Sequence, residues 1–299
     1  MGTCEMNGAV NWYPGHMAKA LRQIRSEIEK VDVVLLILDS RIPGSSVNPD
    51  IMELTGRKKQ IAVLTKKDLA DPVATDKWID YFRGRNINAV SVDSRNRGDL
   101  PAIRSLINGS MKEKRERDLK RGIKNRPARV MAAGIPNAGK STILNTLSGR
   151  SSLKTGNKPG VTRGDQWISA GKDTMLLDTP GLLWPRQDRE RVSLNLALTG
   201  SINDDILDRE KLCISLMRFL DERYPKALED RYGEGLPKDP GEALFEIGRR
   251  RGMMLRGSEV DVRASASAVI NDLRNGKLGR ISLETPDDWT DLDVGEYSS

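Results

Sequence analysis

One stretch of the chain has the residue types and spacing needed to hold phosphate groups. The segment Gly134-Ile-Pro-Asn-Ala-Gly139-Lys140-Ser141 follows the apolar run RVMAA and precedes TILNTL, so it is expected to join a strand to a helix. Its glycines let backbone N–H groups curl around a phosphate, and Lys140 adds positive charge at the β and γ oxygens, a catalytic role. The predicted nucleotide contacts in this loop are Asn137, Ala138, Gly139, Lys140, Ser141 and Thr142.

Residues downstream are expected to complete a magnesium site. The apolar run Met175-Leu-Leu-Asp178 indicates a strand that ends in a carboxylate, and Thr-Pro-Gly181 follows it. Hydroxyl and carboxylate oxygens are the ligands that Mg2+ prefers beside a phosphate loop. We therefore predict that Ser141, Thr162 and Asp178 bind Mg2+, and that Gly181 brings its backbone amide to the γ-phosphate.

A third motif predicts which base the nucleotide carries. Thr65-Lys66-Lys67-Asp68 follows the apolar strand run at 61–64. A carboxylate at Asp68 can accept hydrogen bonds from both N1 and the exocyclic amine of guanine, a pair of donors that adenine does not present. The aliphatic stem of Lys66 is expected to lie over the purine. Thr65 stands where the usual pattern has Asn, and its hydroxyl is expected to hydrogen-bond to the phosphate loop.

The order of these motifs indicates a circular permutation. Asp93 and Ser94 end the next strand, where a backbone amide is expected to meet the guanine carbonyl oxygen. The base-reading loop therefore precedes the phosphate loop, whereas ordinary GTPases have the reverse order. Cutting and rejoining a chain at surface loops preserves its core contacts. The stretch 111–129, with nine basic and three acidic residues, would bridge the original termini as a solvated connector; a plain linker is the alternative.

Hydrophobic patterning predicts an α/β fold with an about six-stranded, mostly parallel sheet and a C-terminal all-helical domain. The predicted strands are 33–38, 61–64, 89–92, 129–133 and a hairpin of 166–169 with 175–177 that turns at Gly171. Beyond Arg191 the pattern changes to short helices at 193–198, 211–220, 240–248 and 262–273. The predicted domains are a GTPase domain at 1–190, a helical domain at 191–283 and an acidic, frayed tail at 284–299.

Composition limits the class of protein. No apolar run approaches the roughly 18 residues that span a bilayer, and the first ten residues fit neither a signal nor a transit peptide. Two distant cysteines, Cys4 and Cys213, indicate a reducing compartment. We therefore expect a cytoplasmic protein that has no membrane partner and is a monomer. The net charge of +7 favours a polyanionic partner, and 4% aromatic residues argue against base stacking.

Two further segments give the chain a family resemblance. Asn11-Trp-Tyr-Pro-Gly-His16-Met-Ala-Lys19-Ala and Asp39-Ser-Arg41-Ile-Pro43, together with the permuted motif order, resemble the bacterial ribosome biogenesis GTPase A family over roughly residues 11–283. The resemblance implies that the chain binds GTP and GDP, hydrolyses GTP and acts on a large ribosomal subunit precursor. It also implies that the C-terminal helical domain contacts ribosomal RNA or protein.

The motifs described so far do not identify the residue that positions the attacking water. Leu182, Leu183 and Trp184 follow Gly181, where most GTPases supply a Gln. His16 is the only histidine, and the resemblance marks its segment as relevant to catalysis. A near-neutral imidazole could orient or polarise water, so we predict a catalytic role for His16. The alternative is a solvent-facing histidine at the start of a helix.

Asn137 and the basic residues of the C-terminal part each allow two interpretations. The amide oxygen of Asn137 could hold K+ near the β and γ phosphates, as in related cation-dependent GTPases, or Asn137 could simply adopt a turn conformation. Basic residues of the C-terminal part could contact RNA phosphates or form a solvated face. These residues are Arg249, Arg250, Arg251, Arg256, Arg263, Arg274, Lys277 and Arg280.

Three function classes follow from these observations. The first is a GTP hydrolase that helps to assemble the large ribosomal subunit and is stimulated by the ribosomal particle. The second is a regulatory P-loop GTPase with a non-ribosomal partner, although the sequence shows no lipidation site or amphipathic anchor. The third is a scaffold that has kept nucleotide binding alone. Measured GTP turnover with and without large-subunit particles discriminates the three.

Overall fold

The structure is a computed structural model. It describes residues 14–124, 126–149, 167–183, 190–202 and 208–289, and the side chains of all of these except residues 14–18, 20 and 23.

A single six-stranded sheet forms the centre of the molecule. Its strands are β1 (Val33–Asp39), β2 (Lys59–Thr65), β3 (Asn88–Ser91), β4 (Ala128–Ala133), β5 (Trp167–Ser169) and β6 (Thr174–Asp178). Their order is β3-β2-β1-β4-β6-β5, and every neighbouring pair is parallel except β5 with β6. The predicted fold class is confirmed, including the hairpin that turns at Gly171, whose φ is 84°.

The strands are apolar because helices cover both faces of the sheet. All seven residues of β1 are buried, and the last five residues of β2 are buried too. Parallel strands covered on both faces have this near-continuous hydrophobic composition. The carboxyl ends of β2, β1, β4 and β6 lie along one edge, so the loops that follow them meet there.

Eleven α-helices are described. They are α1 (Pro14–Glu27), α2 (Pro43–Ser46), α3 (Pro49–Thr55), α4 (Pro72–Arg83), α5 (Leu100–Lys120), α6 (Lys140–Ser148), α7 (Glu190–Leu198), α8 (Arg209–Arg223), α9 (Ala227–Tyr232), α10 (Pro240–Arg250) and α11 (Val262–Arg274). Several begin at a side-chain cap. Asp71 and Asp208, for example, accept hydrogen bonds from the first backbone amides of α4 and α8. None of the described helices has the length and apolar composition to cross a membrane.

Two hydrophobic clusters pack against the two faces of the sheet. On one face α4 contributes Trp78 and Phe82. On the other face α5 contributes Ile103, Ile107 and Met111, and this cluster continues into the helices that follow Glu190. The predicted helices at 193–198, 211–220, 240–248 and 262–273 are observed within α7, α8, α10 and α11. The C-terminal helices therefore share a hydrophobic core with the sheet.

The predicted connector at 111–129 is largely wrong. Its first ten residues continue α5, which runs without a break to Lys120. Ile103, Ile107 and Met111 recur every four residues and anchor the helix against the sheet. The charged remainder extends from this anchor because Lys, Arg and Glu are good helix formers. Only residues 121–127 connect α5 to β4.

The predicted tail also begins too early. Glu284 is 1% exposed and accepts hydrogen bonds from Ser45 N and Oγ and from Asn195 Nδ2, at 2.8, 2.6 and 2.9 Å. Burial raises the pKa of Glu284 to about 7, although these hydrogen bonds oppose the rise. Trp289 packs so closely that a Cβ on Gly44 would meet its ring at 2.5 Å. Residues 284–289 therefore belong to the packed body, and the rest of the predicted tail lies outside the described residues.

Candidate functional site

The phosphate-binding motif forms a tight loop between β4 and α6, as the sequence predicts. Gly139 precedes α6 with a φ of 97°, and Asn137 has a φ of 57°, so both have the left-handed backbone that such a loop needs. A side chain at Gly134 would meet Ile37 O at 2.3 Å, because β1 lies directly beside the loop. The backbone amides at the start of α6 therefore face the carboxyl edge of the sheet, where an anion would sit.

Lys140 occupies the centre of this loop and is 7% exposed. Its ammonium donates to Gly134 O at 3.1 Å and to Ile135 O at 2.7 Å. Burial lowers the pKa of Lys140 to about 8, while the nearby Asp178 carboxylate acts in the opposite direction. A phosphate would supply the negative charge that this buried cation lacks.

Asp178 ends β6 beside the loop and has an oxygen available for a cation. It pairs with Ala132 of β4, and its carboxylate is close enough to the Lys140 ammonium to act on that group's pKa. Asp178 Oδ1 is buried, and no described residue donates a hydrogen bond to it. Burial raises the pKa of Asp178, and Lys140 moderates the rise. A buried carboxylate oxygen without a donor, together with the hydroxyl of Ser141 predicted from the sequence, fits the donor set of Mg2+.

Gly181 lies against the phosphate loop. A Cβ there would come within 2.8 Å of Pro136 Cα and 3.1 Å of Lys140 Nζ, so this position has room only for glycine. Leu182 N donates to Gly134 O at 3.2 Å, and Thr179 Oγ1 donates to Ala132 O at 2.7 Å. These bonds hold the 178–182 segment alongside the phosphate loop.

Thr65 joins the base-reading loop to the phosphate loop. Its hydroxyl lies 2.5 Å from Ala138 O and 3.0 Å from Leu38 O and can donate its proton to either. The predicted hydrogen bond between these two loops is therefore confirmed. Ser94 approaches from the next loop, since Thr146 Oγ1 donates to Ser94 O at 2.9 Å and a Cβ on Gly139 would lie 3.4 Å from Ser94 Oγ.

An arginine that the sequence analysis did not identify pairs with Asp68, the predicted base reader. Arg95 Nη2 lies 2.6 Å from Asp68 Oδ2, and Arg95 Nε lies 3.1 Å from Asp93 Oδ1. The hydrogen bond from Arg95 lowers the pKa of Asp93. Asp93 thus orients Arg95 toward Asp68, in addition to the nucleotide contact predicted for it.

Lys66 and Lys67 make ion pairs within the site. Lys66 Nζ lies 2.8 Å from Asp39 Oδ2, and Arg41 makes a two-nitrogen contact with the same carboxylate at 2.7 and 3.0 Å. Burial alone would raise the pKa of Asp39, but Arg41 and Lys66 together hold it well below its ordinary value. Lys67 Nζ pairs with Asp99 at 2.7 Å, so its side chain braces the loop that carries Ser94.

Several buried polar atoms at this edge have no partner. Ser40 Oγ, Arg41 Nη1, Ser94 Oγ and Asp178 Oδ1 are each buried without a hydrogen bond from or to any described residue. Native proteins pair nearly all such atoms, so a group of four in neighbouring loops marks a place where a polar ligand binds.

The C-terminal segment reaches the base-reading loop. Arg280 Nη2 donates to Lys67 O at 2.7 Å and Arg280 Nε donates to Ala70 O at 2.8 Å. Ile281 N donates to Leu69 O at 3.0 Å. We call residues 280–284 the C-terminal strap. On the phosphate side, Asn137 Nδ2 donates to Gly200 O at 2.8 Å, which joins the phosphate loop to the end of α7.

Other predicted residues are either outside the described part or otherwise engaged. Thr162 and the side chain of His16 lie outside the described residues. Arg249 and Arg250 pair with Glu246 at 2.7 Å, and Arg251 pairs with Asp272 at 3.0 Å. Arg274 donates to Ala197 O and Leu198 O. Much of the predicted C-terminal basic scatter therefore holds the helices together.

The sequence analysis missed the contacts of four residues, Asp39, Arg41, Arg95 and Arg280, for different reasons. Asp39 and Arg41 belong to a quoted motif, and an apolar strand that ends in a carboxylate was a usable signal for them. Arg95 directly follows Ser94, yet its partner Asp68 lies 27 positions away. Arg280 lies 213 positions from Lys67, and nothing in its surrounding sequence indicates that contact.

Comparison with known proteins agrees with this geometry. Residues 129–227 match the family described as 50S ribosome-binding GTPase. Ribosome biogenesis GTPase A of Bacillus cereus is 40% identical over 281 residues, which cover 94% of this chain and 95% of the relative. Ribosome biogenesis GTPase A of Thermotoga maritima is 30% identical over 94% of this chain and 96% of the relative.

Solved structures show the same architecture. A GDP-bound YlqF structure superposes with a TM-score of 0.64 at 25% identity and covers 89% of this chain and 100% of its own. GNP-bound YlqF from T. maritima superposes with a TM-score of 0.61 at 26% identity, over 90% of this chain and 99% of its own. With its phosphate and base loops brought together in permuted order, the chain belongs to the ribosome biogenesis GTPase A family.

Proposed function

We propose that this protein is a GTP hydrolase that acts in late assembly of the large ribosomal subunit. The observation that carries the proposal is the convergence of Thr65, Ala138, Lys140 and Asp178 at one edge of the sheet, although they lie far apart in the chain. Asp68, in the loop that follows β2, would recognise the guanine base. The names of the relatives, together with the family description, support the large subunit as the partner. The protein would act in the cytoplasm as a monomer.

The loops divide the work of binding and hydrolysis. Asp68 would accept hydrogen bonds from guanine, with Ser94 and its neighbouring amide at the carbonyl oxygen. Lys140 and the amides from Asn137 to Thr142 would hold the phosphates, and Gly181 would place its amide at the γ-phosphate. Ser141, Thr162 and Asp178 would hold Mg2+, which neutralises charge on the phosphate oxygens when bound.

We assign the positioning of the attacking water to His16. Its segment starts α1, and Leu182, Leu183 and Trp184, which directly follow Gly181, carry no carboxamide that could do this. His16→Ala should lower the rate of GTP hydrolysis at least tenfold while it leaves GTP affinity unchanged, because general acid–base groups contribute on the order of 10²-fold or more. Single-turnover hydrolysis in the presence of large-subunit particles measures this. An unchanged rate would remove His16 from the mechanism.

Asn137 would support a K+ ion. Its amide nitrogen donates to Gly200 O, so the amide oxygen is the atom that would face the cation. Turnover that is equal in K+ and Na+ would instead leave Asn137 as a turn residue that joins the phosphate loop to α7.

Sedimentation tests the partner and the switch together. The full-length protein is centrifuged with large ribosomal subunits in the presence of GDP or a non-hydrolysable GTP analogue. We expect co-sedimentation with the analogue and release with GDP. No co-sedimentation in either state, with GTP turnover intact, would favour a GTPase with a non-ribosomal partner. Co-sedimentation without turnover, even on the particle, would favour a nucleotide-binding scaffold.

A further inference from the structure

A cluster of cations lies at the edge of the sheet opposite to the nucleotide loops. A cavity there is lined by residues 31–32 before β1, by residues 57–59 at the start of β2 and by the middle of α5. Its charged lining is five cations and two carboxylates, namely Arg57, Lys58, Lys59, Lys114, Arg117, Asp32 and Glu113. Arg117 lines the cavity, and Lys120 and Arg121 lie about one turn beyond it at the end of α5. We call Arg57, Lys59, Arg117, Lys120, Arg121 and Lys124 the α5 basic surface.

The carboxylates nearby do not neutralise this surface. Asp32 is 2% exposed at its side chain and already pairs with Lys114 and Arg126. Among the described residues, no side chain makes a hydrogen bond or ion pair with Arg57, Lys59, Lys120, Arg121 or Lys124. All five are exposed. This distinguishes them from Arg249, Arg250 and Arg251, whose charges are used within the chain.

Helix stability accounts for only part of this charge. Cations near the last turn of α5 complement the helix dipole, which is worth up to about 1 kcal/mol at an exposed site. That effect does not extend to Arg57 and Lys59, which lie at the start of β2 and not on the helix. Two chain segments separated by about fifty residues in sequence thus place cations around one cavity.

We propose that the α5 basic surface binds the phosphodiester backbone of structured RNA. Exposed Lys and Arg without interleaved aromatic side chains suit backbone contact, whereas base recognition needs stacking residues. The exposed apolar side chains in this stretch are Leu119 and Ile123, at 60% and 44%, which are too few to anchor the surface in a membrane. The inference rests on the proposed function, which brings the protein to an RNA-rich particle, and it adds a second contact surface remote from the nucleotide.

Two matched variants of the full-length protein test the proposal. The first is Arg117→Gln, Lys120→Gln and Arg121→Gln, which removes three charges and keeps good helix formers. The control is Lys77→Gln and Arg83→Gln on α4 with Arg85→Gln just after it, which removes the same charge from the opposite face of the sheet. In the control, Asp287, Asp80 and the Tyr81 ring already engage the three cations. Unchanged GDP affinity in both variants verifies their folding.

Binding to a double-stranded RNA hairpin is followed by fluorescence anisotropy over a range of KCl concentrations. We expect the first variant to lose at least about tenfold in affinity, and its slope of log affinity against log salt to fall by about two to three, since each lost phosphate contact lowers it by roughly one. The control should stay within about twofold of the unchanged protein. Equal affinities and slopes for the two variants, or no hairpin binding by the unchanged protein, would overturn the proposal.

Two further measurements distinguish this proposal from a membrane-binding surface and from the proposed function itself. Binding of the unchanged protein to phosphatidylserine vesicles but not to the hairpin would assign the surface to a membrane and overturn the RNA proposal. Loss of hairpin affinity in the first variant, with no co-sedimentation of the unchanged protein with large subunits, would support this surface and contradict the proposed function. Co-sedimentation of the unchanged protein with large subunits, combined with no change of hairpin salt slope in the first variant, would support the proposed function and contradict the role of this surface.

Discussion

At the scale of single residues, the loops after β1, β2 and β3 carry charges that already have partners. Asp68 forms an ion pair with the guanidinium of Arg95, and Lys66 forms one with Asp39. The guanidinium N–H groups resemble the N1 and amine donors of guanine, since both present parallel N–H groups to one carboxylate. We therefore expect nucleotide binding to exchange Asp68 from Arg95 to the base.

Arg95→Ala should strengthen GDP binding by about two- to fivefold, because it removes the intramolecular competitor for Asp68. The ion pair is exposed, and such pairs contribute up to about 1 kcal/mol. Titration with a fluorescent GDP analogue at low and high salt measures the effect, which should shrink as salt screens the pair. Arg97→Ala is the control, since Arg97 is exposed nearby and has no contact with Asp68. Weaker binding of Arg95→Ala would show that Arg95 assists the nucleotide instead.

Lys140 should make nucleotide affinity depend on pH. Its pKa is lowered by burial to about 8, and phosphate binding favours the protonated ammonium. Above pH 8 the free protein must take up a proton in order to bind, so GDP affinity should fall about tenfold between pH 7 and pH 9. Calorimetry in buffers of different ionisation enthalpy measures both affinity and proton uptake. Constant affinity over this range, without proton uptake, would contradict the pKa assignment.

At the scale of elements, the sequence predicted what depends on local pattern. The strands follow from short apolar runs, and the phosphate loop follows from glycine positions between β4 and α6. The second half of α5 was missed because its charged residues have no apolar periodicity of their own. Its stability derives from Met111 and the residues before it, which pack on the sheet. Local composition does not reveal such long-range support.

The C-terminal strap should stabilise the base-reading loop. Arg280→Ala removes two hydrogen bonds to the carbonyls of Lys67 and Ala70, so the loop that carries Asp68 should open more readily. GDP dissociation should accelerate about threefold to tenfold, a modest effect because Arg280 is exposed. Stopped-flow release of a fluorescent GDP analogue measures this rate. Lys277→Ala is the control, since Lys277 pairs with Asp272 and not with the loop. Equal dissociation rates for both variants would show that the strap does not act on the loop.

At the scale of the whole molecule, permutation brings the nucleotide site and the helical part close together. The base loop touches the C-terminal strap through Arg280, and the phosphate loop touches the end of α7 through Asn137. Glu284 adds a buried contact between the strap, α2 and α7. A change at either end of the nucleotide therefore has a direct structural route to the helices that are expected to meet the ribosome.

These contacts also explain where prediction from sequence ended. The order of the motifs predicted a circularly permuted chain that still forms one sheet, and the structure confirms it. The division between the helical part and the tail was placed at residue 284, whereas Glu284 is buried against Ser45 and Asn195. An acidic residue near a chain end resembles a solvated tail in sequence. Only the positions of α2 and α7 show that hydrogen-bond donors surround it.

The central claim is that loops in permuted order form one guanine-nucleotide site with Asp68 as its base reader. Calorimetry with GDP, ADP and xanthosine diphosphate, on the unchanged protein and on Asp68→Asn, tests it most directly. Xanthine has a carbonyl oxygen where guanine has its amine, so a carboxamide at position 68 complements xanthine. We predict that GDP binds about a hundredfold or more tighter than ADP, and that Asp68→Asn loses GDP and gains xanthosine diphosphate. Equal binding of ADP and GDP, or unchanged GDP binding by Asp68→Asn, would contradict the account.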